Sequence, residues 1–80
     1  MHKNTIMAYN TNARRITAEV AGRYGAVTVD GYFSYLMEKS AELCTNTISI
    51  YKRSICYALE TDGQAIEADV LRGMFDAVDN

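Results

Sequence analysis

The chain has 80 residues, of which 49% are hydrophobic, and a formal net charge of −2. This length predicts one domain over residues 1–80. The hydrophobic fraction is too high for a disordered chain. No apolar run approaches the roughly 20 residues of a membrane-spanning helix, and the first residues lack the apolar segment of a secretory signal. We therefore expect a small globular domain that neither spans nor binds a membrane.

Four segments have the apolar spacing of amphipathic helices, and none alternates with period two for long enough to predict a strand. The helices are predicted at residues 5–24, 29–41, 47–61 and 65–78. In the first helix, apolar residues recur every three or four positions from Ile6 to Tyr24. The expected fold class is all-α, a compact four-helix bundle.

Capping residues support these helix ends. Asn4 or Thr5 is expected to cap the first helix, Thr28 the second, and Thr45 or Asn46 the third. Gly25 and Gly63 follow the first and third helices, where a left-handed backbone commonly ends a helix.

The last helix has apolar residues at steps of four, which are Ile66, Val70, Met74 and Val78, with Leu71 and Phe75 beside them. This spacing predicts an amphipathic helix. An exposed patch of Met74 and Phe75 would be a site for contacts between protomers, and the alternative is that both residues pack in the core.

Charge is distributed unevenly along the chain. Residues 1–55 hold seven basic and four acidic residues, a net charge of +3, and residues 56–80 hold one basic and six acidic residues, a net charge of −5. The overall charge of −2 argues against nucleic acid as a partner. The uneven distribution instead predicts a mildly basic body with an acidic last helix.

Cys44 and Cys56 are the only cysteines, and His2 is the only histidine. Without further ligands nearby, the two cysteines do not predict a zinc site. We expect two free thiols in a reducing, cytoplasmic setting. The sequence has no glycine-rich phosphate loop and no paired His and Cys, so neither a cofactor nor an enzymatic activity is expected.

Three short segments occur in a recognisable order. Residues 4–9 read Asn-Thr-Ile-Met-Ala-Tyr and precede a polar stretch and a basic–apolar pair; Val27-Thr28 precedes Tyr35-Leu36; and Asn46-Thr47-Ile48 precedes Ser54-Ile55. In this order and at these separations, the segments resemble the N-terminal SAM-like, or core-binding, domain of tyrosine recombinases (phage-type integrases). The resemblance covers roughly residues 4–60, about three quarters of the chain.

The resemblance implies a SAM-like fold and a DNA-binding function. In that family, this small domain and a larger catalytic domain clamp duplex DNA from opposite sides, and helices one and three of the small domain face the major groove. The matching positions here are Thr5, Tyr9 and Arg14 in the first helix and Asn46, Thr47, Ser49, Ile50 and Arg53 in the third. The implied partners are duplex DNA and a catalytic recombinase domain, on the same longer chain or on another.

Arg15 and Lys52 join this set as further phosphate contacts, because basic side chains neutralise phosphates and release counterions. The alternative for Arg14 and Arg15 is a solvated helix face, with pairing to Glu19. The alternative for Tyr9 is packing in the core.

The sequence departs from the family pattern at several positions. Ile6, Met7 and Asn10 occur where the family is often basic, Ser49 and Ile50 where arginines often follow Thr-Ile, and Lys52 at an often apolar position. Recombinase chemistry also needs a tyrosine nucleophile with an arginine–histidine set in a separate domain, so no catalysis is expected from this chain. The alternative function is a non-enzymatic protein-interaction module that uses the acidic last helix.

Overall fold

The computed structural model describes residues 3–79. They form four α-helices, α1 (Lys3–Tyr24), α2 (Val29–Lys39), α3 (Thr45–Thr61) and α4 (Ala65–Asp79), and no strand occurs in this range. The radius of gyration is 11.9 Å, close to the value of about 12 Å expected for a compact chain of this length. The predicted all-α four-helix bundle is therefore confirmed.

The expected helix stops and one predicted cap are present. Gly25 has φ 75° and Gly63 has φ 79°, the left-handed conformation that glycine adopts without strain. The Gly25 N–H donates to the carbonyl of Ala21 at 3.0 Å, which closes the last turn of α1. At the start of α2, the Thr28 side chain accepts a hydrogen bond from the Gly31 N–H at 3.0 Å.

Three of the approximate helix bounds lie two residues from the observed ones, and α4 ends at Asp79, one residue beyond its predicted end. α1 begins at Lys3 rather than residue 5, so Asn4 and Thr5 lie inside the helix instead of capping it. α2 ends at Lys39 rather than residue 41, because the following N–H groups bond to the carbonyl three residues back, Ala41 to Glu38 at 3.3 Å and Glu42 to Lys39 at 2.9 Å. α3 begins at Thr45 rather than residue 47, because Cys44 is extended and its carbonyl accepts the Ile48 N–H at 3.1 Å.

The core is built from all four helices. Its fully buried members include Ile16 and Val20 of α1, Leu36 of α2, Ile55 of α3 and Leu71 of α4. The apolar spacing of α1 therefore predicts correctly that the residues from Ala13 to Val20 in this stripe face the core. At the end of that spacing, Tyr24 is 45% exposed, because α1 ends there and Tyr24 lies only beside the first turn of α2.

α4 is a helix, as its spacing predicts, but only some of its apolar residues are buried. Ala68, Leu71 and Phe75 are buried, whereas Ile66 is 77% exposed and Val70 and Val78 are each 50% exposed. At 100° per residue, steps of four drift around the helix, so the residues from Ile66 to Val78 do not stay on one face. α4 carries an apolar stripe on each side, and its spacing alone does not say which one packs inward.

Met74 is half-buried. The Phe75 side chain is 6% exposed and its ring lies 5.2 Å from that of Phe33. Phe75 therefore packs in the core and is not part of an exposed patch. None of the helices within residues 3–79 has the length and apolar content required to cross a membrane.

Candidate nucleic-acid interface

The outward side of α3 carries part of the predicted DNA-binding set. Asn46, Ile50 and Arg53 are exposed and follow one another at i, i+4 and i+7, which places them on one helix face. Thr47 and Ser49 are half-buried beside this face. The inward side of α3 is anchored by Ile48, Ile55 and Leu59, so packing of the core fixes which side chains α3 presents to solvent.

The predicted residues of α1 lie in different surroundings. Thr5 and Tyr9 are half-buried, and Arg14 and Arg15 are exposed. The Arg15 guanidinium lies 5.2 Å from the centre of the Tyr51 ring and donates a hydrogen bond to the Tyr51 hydroxyl at 2.5 Å. Arg15 is therefore held on the surface of α3.

The sequence also allows Arg15 to pair with Glu19. Within residues 3–79, the structure has no ion pair between these two residues. Glu19 instead accepts a hydrogen bond from the hydroxyl of Tyr35 on α2.

The ion pairs divide the basic residues into two groups. Arg23 pairs with Glu38 at 2.6 Å, Lys39 pairs with Glu42 at 3.4 Å, and Arg72 pairs with both Glu60 and Asp69. Among the side chains that the structure describes, four basic residues take part in no ion pair, and these are Arg14, Arg15, Lys52 and Arg53. They are the four cations that the sequence predicts as phosphate contacts.

A cleft of about 480 Å³ brings Tyr9, Lys52 and Arg53 together. We call it the tyrosine cleft, and its walls also include Tyr57 from α3 and Arg72, Phe75 and Asp76 from α4. The Tyr9 and Tyr57 ring centroids are 5.7 Å apart with planes tilted by 53°. α1, α3 and α4 therefore contribute to one open site that combines cations with aromatic rings.

Lys52 occupies a position that is often apolar in the family that the sequence resembles. Its surroundings explain how a cation is accommodated there. Its ammonium lies 4.3 Å from the centre of the Phe75 ring, which is a cation–π contact. The side chain is half-buried, so its apolar stem packs against the bundle while the charged end reaches the tyrosine cleft.

Arg14 lines a second groove, of about 530 Å³, rather than the tyrosine cleft. α1 and the end of α3 form this groove, whose walls include Asn10, Thr17, Thr61 and Asp62. The predicted cations therefore fall into three places, with Arg14 in this groove, Arg15 on Tyr51, and Lys52 with Arg53 in the tyrosine cleft.

Tyr57 and Arg72 are among the residues of the tyrosine cleft that the sequence did not predict as part of the site. Tyr57 follows Arg53 by four residues, and this spacing on a helix would have placed the two side chains side by side. Arg72 belongs to α4 and reaches the cleft through its ion pair with Glu60 of α3. No sequence signal indicates that contact, because it depends on how α3 and α4 pack.

The two thiols differ in accessibility and acidity. Both are free, as predicted, with Cys44 exposed and Cys56 buried. A hydrogen bond with the Thr47 hydroxyl, at 3.2 Å, lowers the pKa of Cys44, and the backbone N–H groups at the start of α3 lower it further. Burial raises the pKa of Cys56. No cluster of potential metal ligands occurs among the described residues.

Comparison of the chain with protein-family models, with curated proteins and with solved structures gave no match. The resemblance to the recombinase core-binding domain therefore depends on the sequence segments themselves.

Proposed function

We propose that this domain is a DNA-binding module of the tyrosine recombinase or integrase type, which contacts duplex DNA through α1 and α3. The observation that carries the proposal is that Arg14, Arg15, Lys52 and Arg53 have no carboxylate partner among the described side chains, whereas the other described cations do. A cation without a partner binds a phosphate without first breaking an ion pair.

In this proposal the domain positions DNA and supplies no reacting group. A catalytic recombinase domain, on the same longer chain or on another, would supply the tyrosine nucleophile. The exposed thiol of Cys44 fits a reducing compartment, and we place the protein in the cytoplasm.

The test is an NMR titration of backbone amides with a blunt duplex of about 20 base pairs, at about 50 and 200 mM salt. Four phosphate contacts would give a salt slope near −3.6, and hence a loss of about 100-fold in affinity between these concentrations. Amide shifts should be confined to α1 and α3. No shift at the lower salt concentration would contradict the proposal.

Two matched variants sharpen this test. Arg53→Gln should weaken binding and reduce the salt slope by about one. Arg23→Gln removes the same charge, but Arg23 is paired with Glu38 and should contribute less. Equal losses in the two variants would show that only net charge matters, and would argue against a defined surface on α1 and α3.

A second candidate function uses the outward face of α4. Ile66, Val70 and Ala77 lie at spacings of four and seven residues along this face, and all three are exposed. Glu67 and Asp76 are acidic and exposed on either side of it. An apolar stripe with acidic flanks fits an amphipathic helix of a partner protein with basic flanks, whereas a second copy of α4 would oppose like charges.

This candidate is tested with two synthetic helical peptides that have the same leucine stripe, one flanked by lysine and one by glutamate. Binding of the lysine peptide only, with loss in Val70→Asp, would support it, and binding of neither peptide would contradict it. Val70→Asp should leave DNA binding unchanged, because Val70 lies on the opposite face of α4 from the core. The two functions are therefore separable.

A further inference from the structure

The tyrosine cleft has a size and chemistry that binding to the outside of a duplex does not require. Its volume of about 480 Å³ lies within the range of roughly 300–1,000 Å³ typical of small-molecule sites. A phosphate on the outside of a duplex needs only surface cations, and not a cleft with aromatic walls.

The aromatic walls suit a flat ring. Tyr9 and Tyr57 are both half-buried and both line the cleft. Because their planes are tilted by 53°, the two rings do not stack in parallel on each other. A nucleobase stacks on such rings with little preference for its identity, because every base has a π face. Bases within a duplex are already stacked, so only an unpaired base has a free face to offer.

The cations suit one phosphate. The Lys52 ammonium is held in the cleft by the Phe75 ring and Arg53 is exposed beside it, and neither is in an ion pair with a described carboxylate. Arg72 is engaged with Glu60 and Asp69. Glu60 and Asp76 are both acidic walls of the same cleft, and Glu60 is paired with Arg72. Two available cations facing the one carboxylate that is in no ion pair favour a single phosphate over a polyphosphate chain.

We propose that the tyrosine cleft binds one unpaired nucleotide, with its base against Tyr9 and Tyr57 and its phosphate on Lys52 and Arg53. The nucleotide is either a free nucleoside monophosphate or the unpaired end of a DNA strand. The second source rests on the proposed DNA-binding function.

The experiment compares three probes by NMR and fluorescence titration, namely adenosine monophosphate, a blunt duplex, and the same duplex with a three-nucleotide single-stranded overhang. We expect the overhang to bind about tenfold more tightly than the blunt duplex, because one stacked base adds roughly this factor. The monophosphate should shift only amides that line the cleft.

Variants separate the cleft from the rest of the surface. Tyr57→Leu should abolish the preference for the overhang and keep binding of the blunt duplex. Tyr24→Leu is the matched control, because Tyr24 is exposed and does not line the cleft, and it should keep the preference. An amide spectrum of each variant establishes that the bundle is folded.

The outcomes distinguish the two proposals. Equal binding of blunt and overhang duplexes, without cleft shifts from the monophosphate, would overturn the nucleotide site and leave DNA binding standing. Cleft shifts from the monophosphate without binding of either duplex would support the site with a free nucleotide and contradict DNA binding. Failure of all three probes would overturn both.

Discussion

Gly31 lies in the first turn of α2, directly against α1. A Cβ at this position would lie 2.9 Å from Cγ1 of Val20, which is closer than packed atoms allow, and 3.2 Å from Oγ1 of Thr28, which is a tight contact. The Val20 side chain is fully buried and has little room to move. The sequence alone indicates only that Gly31 has a low helix propensity. In the structure, it permits the close approach of α1 and α2.

We expect Gly31→Ala to lower the free energy of unfolding by about 1–3 kcal/mol, because overpacking outweighs the better helix propensity of alanine. The control is Gly73→Ala in α4, where an added Cβ meets nothing within 4 Å. That change should raise the free energy of unfolding by up to about 1 kcal/mol. Urea denaturation measures both values, and a Gly31→Ala variant as stable as the unchanged protein would contradict the packing argument.

Cys44 gives a second prediction at the residue scale. Because its pKa is lowered by Thr47, more of it is thiolate at pH 8 than for an ordinary thiol. Ellman's reagent should therefore modify Cys44 quickly and Cys56 slowly, since Cys56 is buried and its pKa is raised. In a Cys56→Ala background, Thr47→Val should raise the pH at which Cys44 becomes reactive.

The control for this measurement is Thr45→Val. Thr45 also lies in the first turn of α3, but the hydrogen bond to the Cys44 sulfur comes from Thr47. Identical pH profiles for the two threonine variants would refute the role of Thr47. The sequence predicts Thr45 or Asn46 as the N-cap of α3. In the structure the N-cap is Cys44, so the position of this thiol at the start of the helix was not predicted.

At the scale of elements, α1 and α2 are joined by polar contacts around a buried tyrosine. Tyr35 is 3% exposed, and its hydroxyl donates a hydrogen bond to Glu19 of α1. Thr17 and Tyr32 form another bond between the same helices at 2.8 Å. Burial, and then the hydrogen bond to Glu19, raises the pKa of Tyr35 from 10 to about 12.

The raised pKa means that folding stabilises the protonated form of Tyr35. The associated stability is fully present below pH 10 and is lost as the pH rises towards 12. Tyr35→Phe should lose about 1 kcal/mol at pH 7 and should show a flatter decline between pH 10 and 12. Chemical denaturation across this range measures both effects. Tyr24→Phe, at an exposed position, is the control, and an equal flattening there would rule out Tyr35 as the cause.

The helices also show what apolar spacing does and does not encode. For α1 and α3, one apolar stripe faces the core, so the spacing predicts both the helix and its buried face. For α2, the spacing predicts the helix but not its whole buried face, because Tyr35 is buried and Met37 is exposed. α4 has two apolar stripes, and the buried one, with Leu71 and Phe75, is selected by contact with the other helices. Helix ends set by loops, such as the turn from Lys39 to Leu43, were likewise not predictable from spacing.

At the scale of the whole molecule, the sequence predicts four cations as phosphate contacts but not how these cations are grouped on the surface. Arg14 and Arg15 are adjacent in the chain, yet one lines a groove with Asp62 and the other lies on Tyr51. Lys52 and Arg53 meet Tyr9 because α1 packs on α3. Such grouping depends on helix packing, which a single sequence does not specify.

The positions of the carboxylates lead to a prediction about the electrostatic contribution to DNA affinity. Its net charge of −2 opposes DNA, but carboxylates within about 10 Å of the phosphates should dominate at 0.1 M salt, because more distant charges are screened. Asp62 lines the Arg14 groove and Asp76 lines the tyrosine cleft, whereas Glu67 lines neither.

Asp62→Asn and Asp76→Asn should therefore each raise affinity for a blunt duplex by about two- to threefold at 50 mM salt. Glu67→Gln removes the same charge and should have a smaller effect. Fluorescence anisotropy with labelled duplex measures all three variants, and each gain should diminish at 200 mM salt. Equal gains in all three variants would mean that DNA responds to net charge alone, and would contradict DNA contacts at the surfaces that carry Arg14, Lys52 and Arg53.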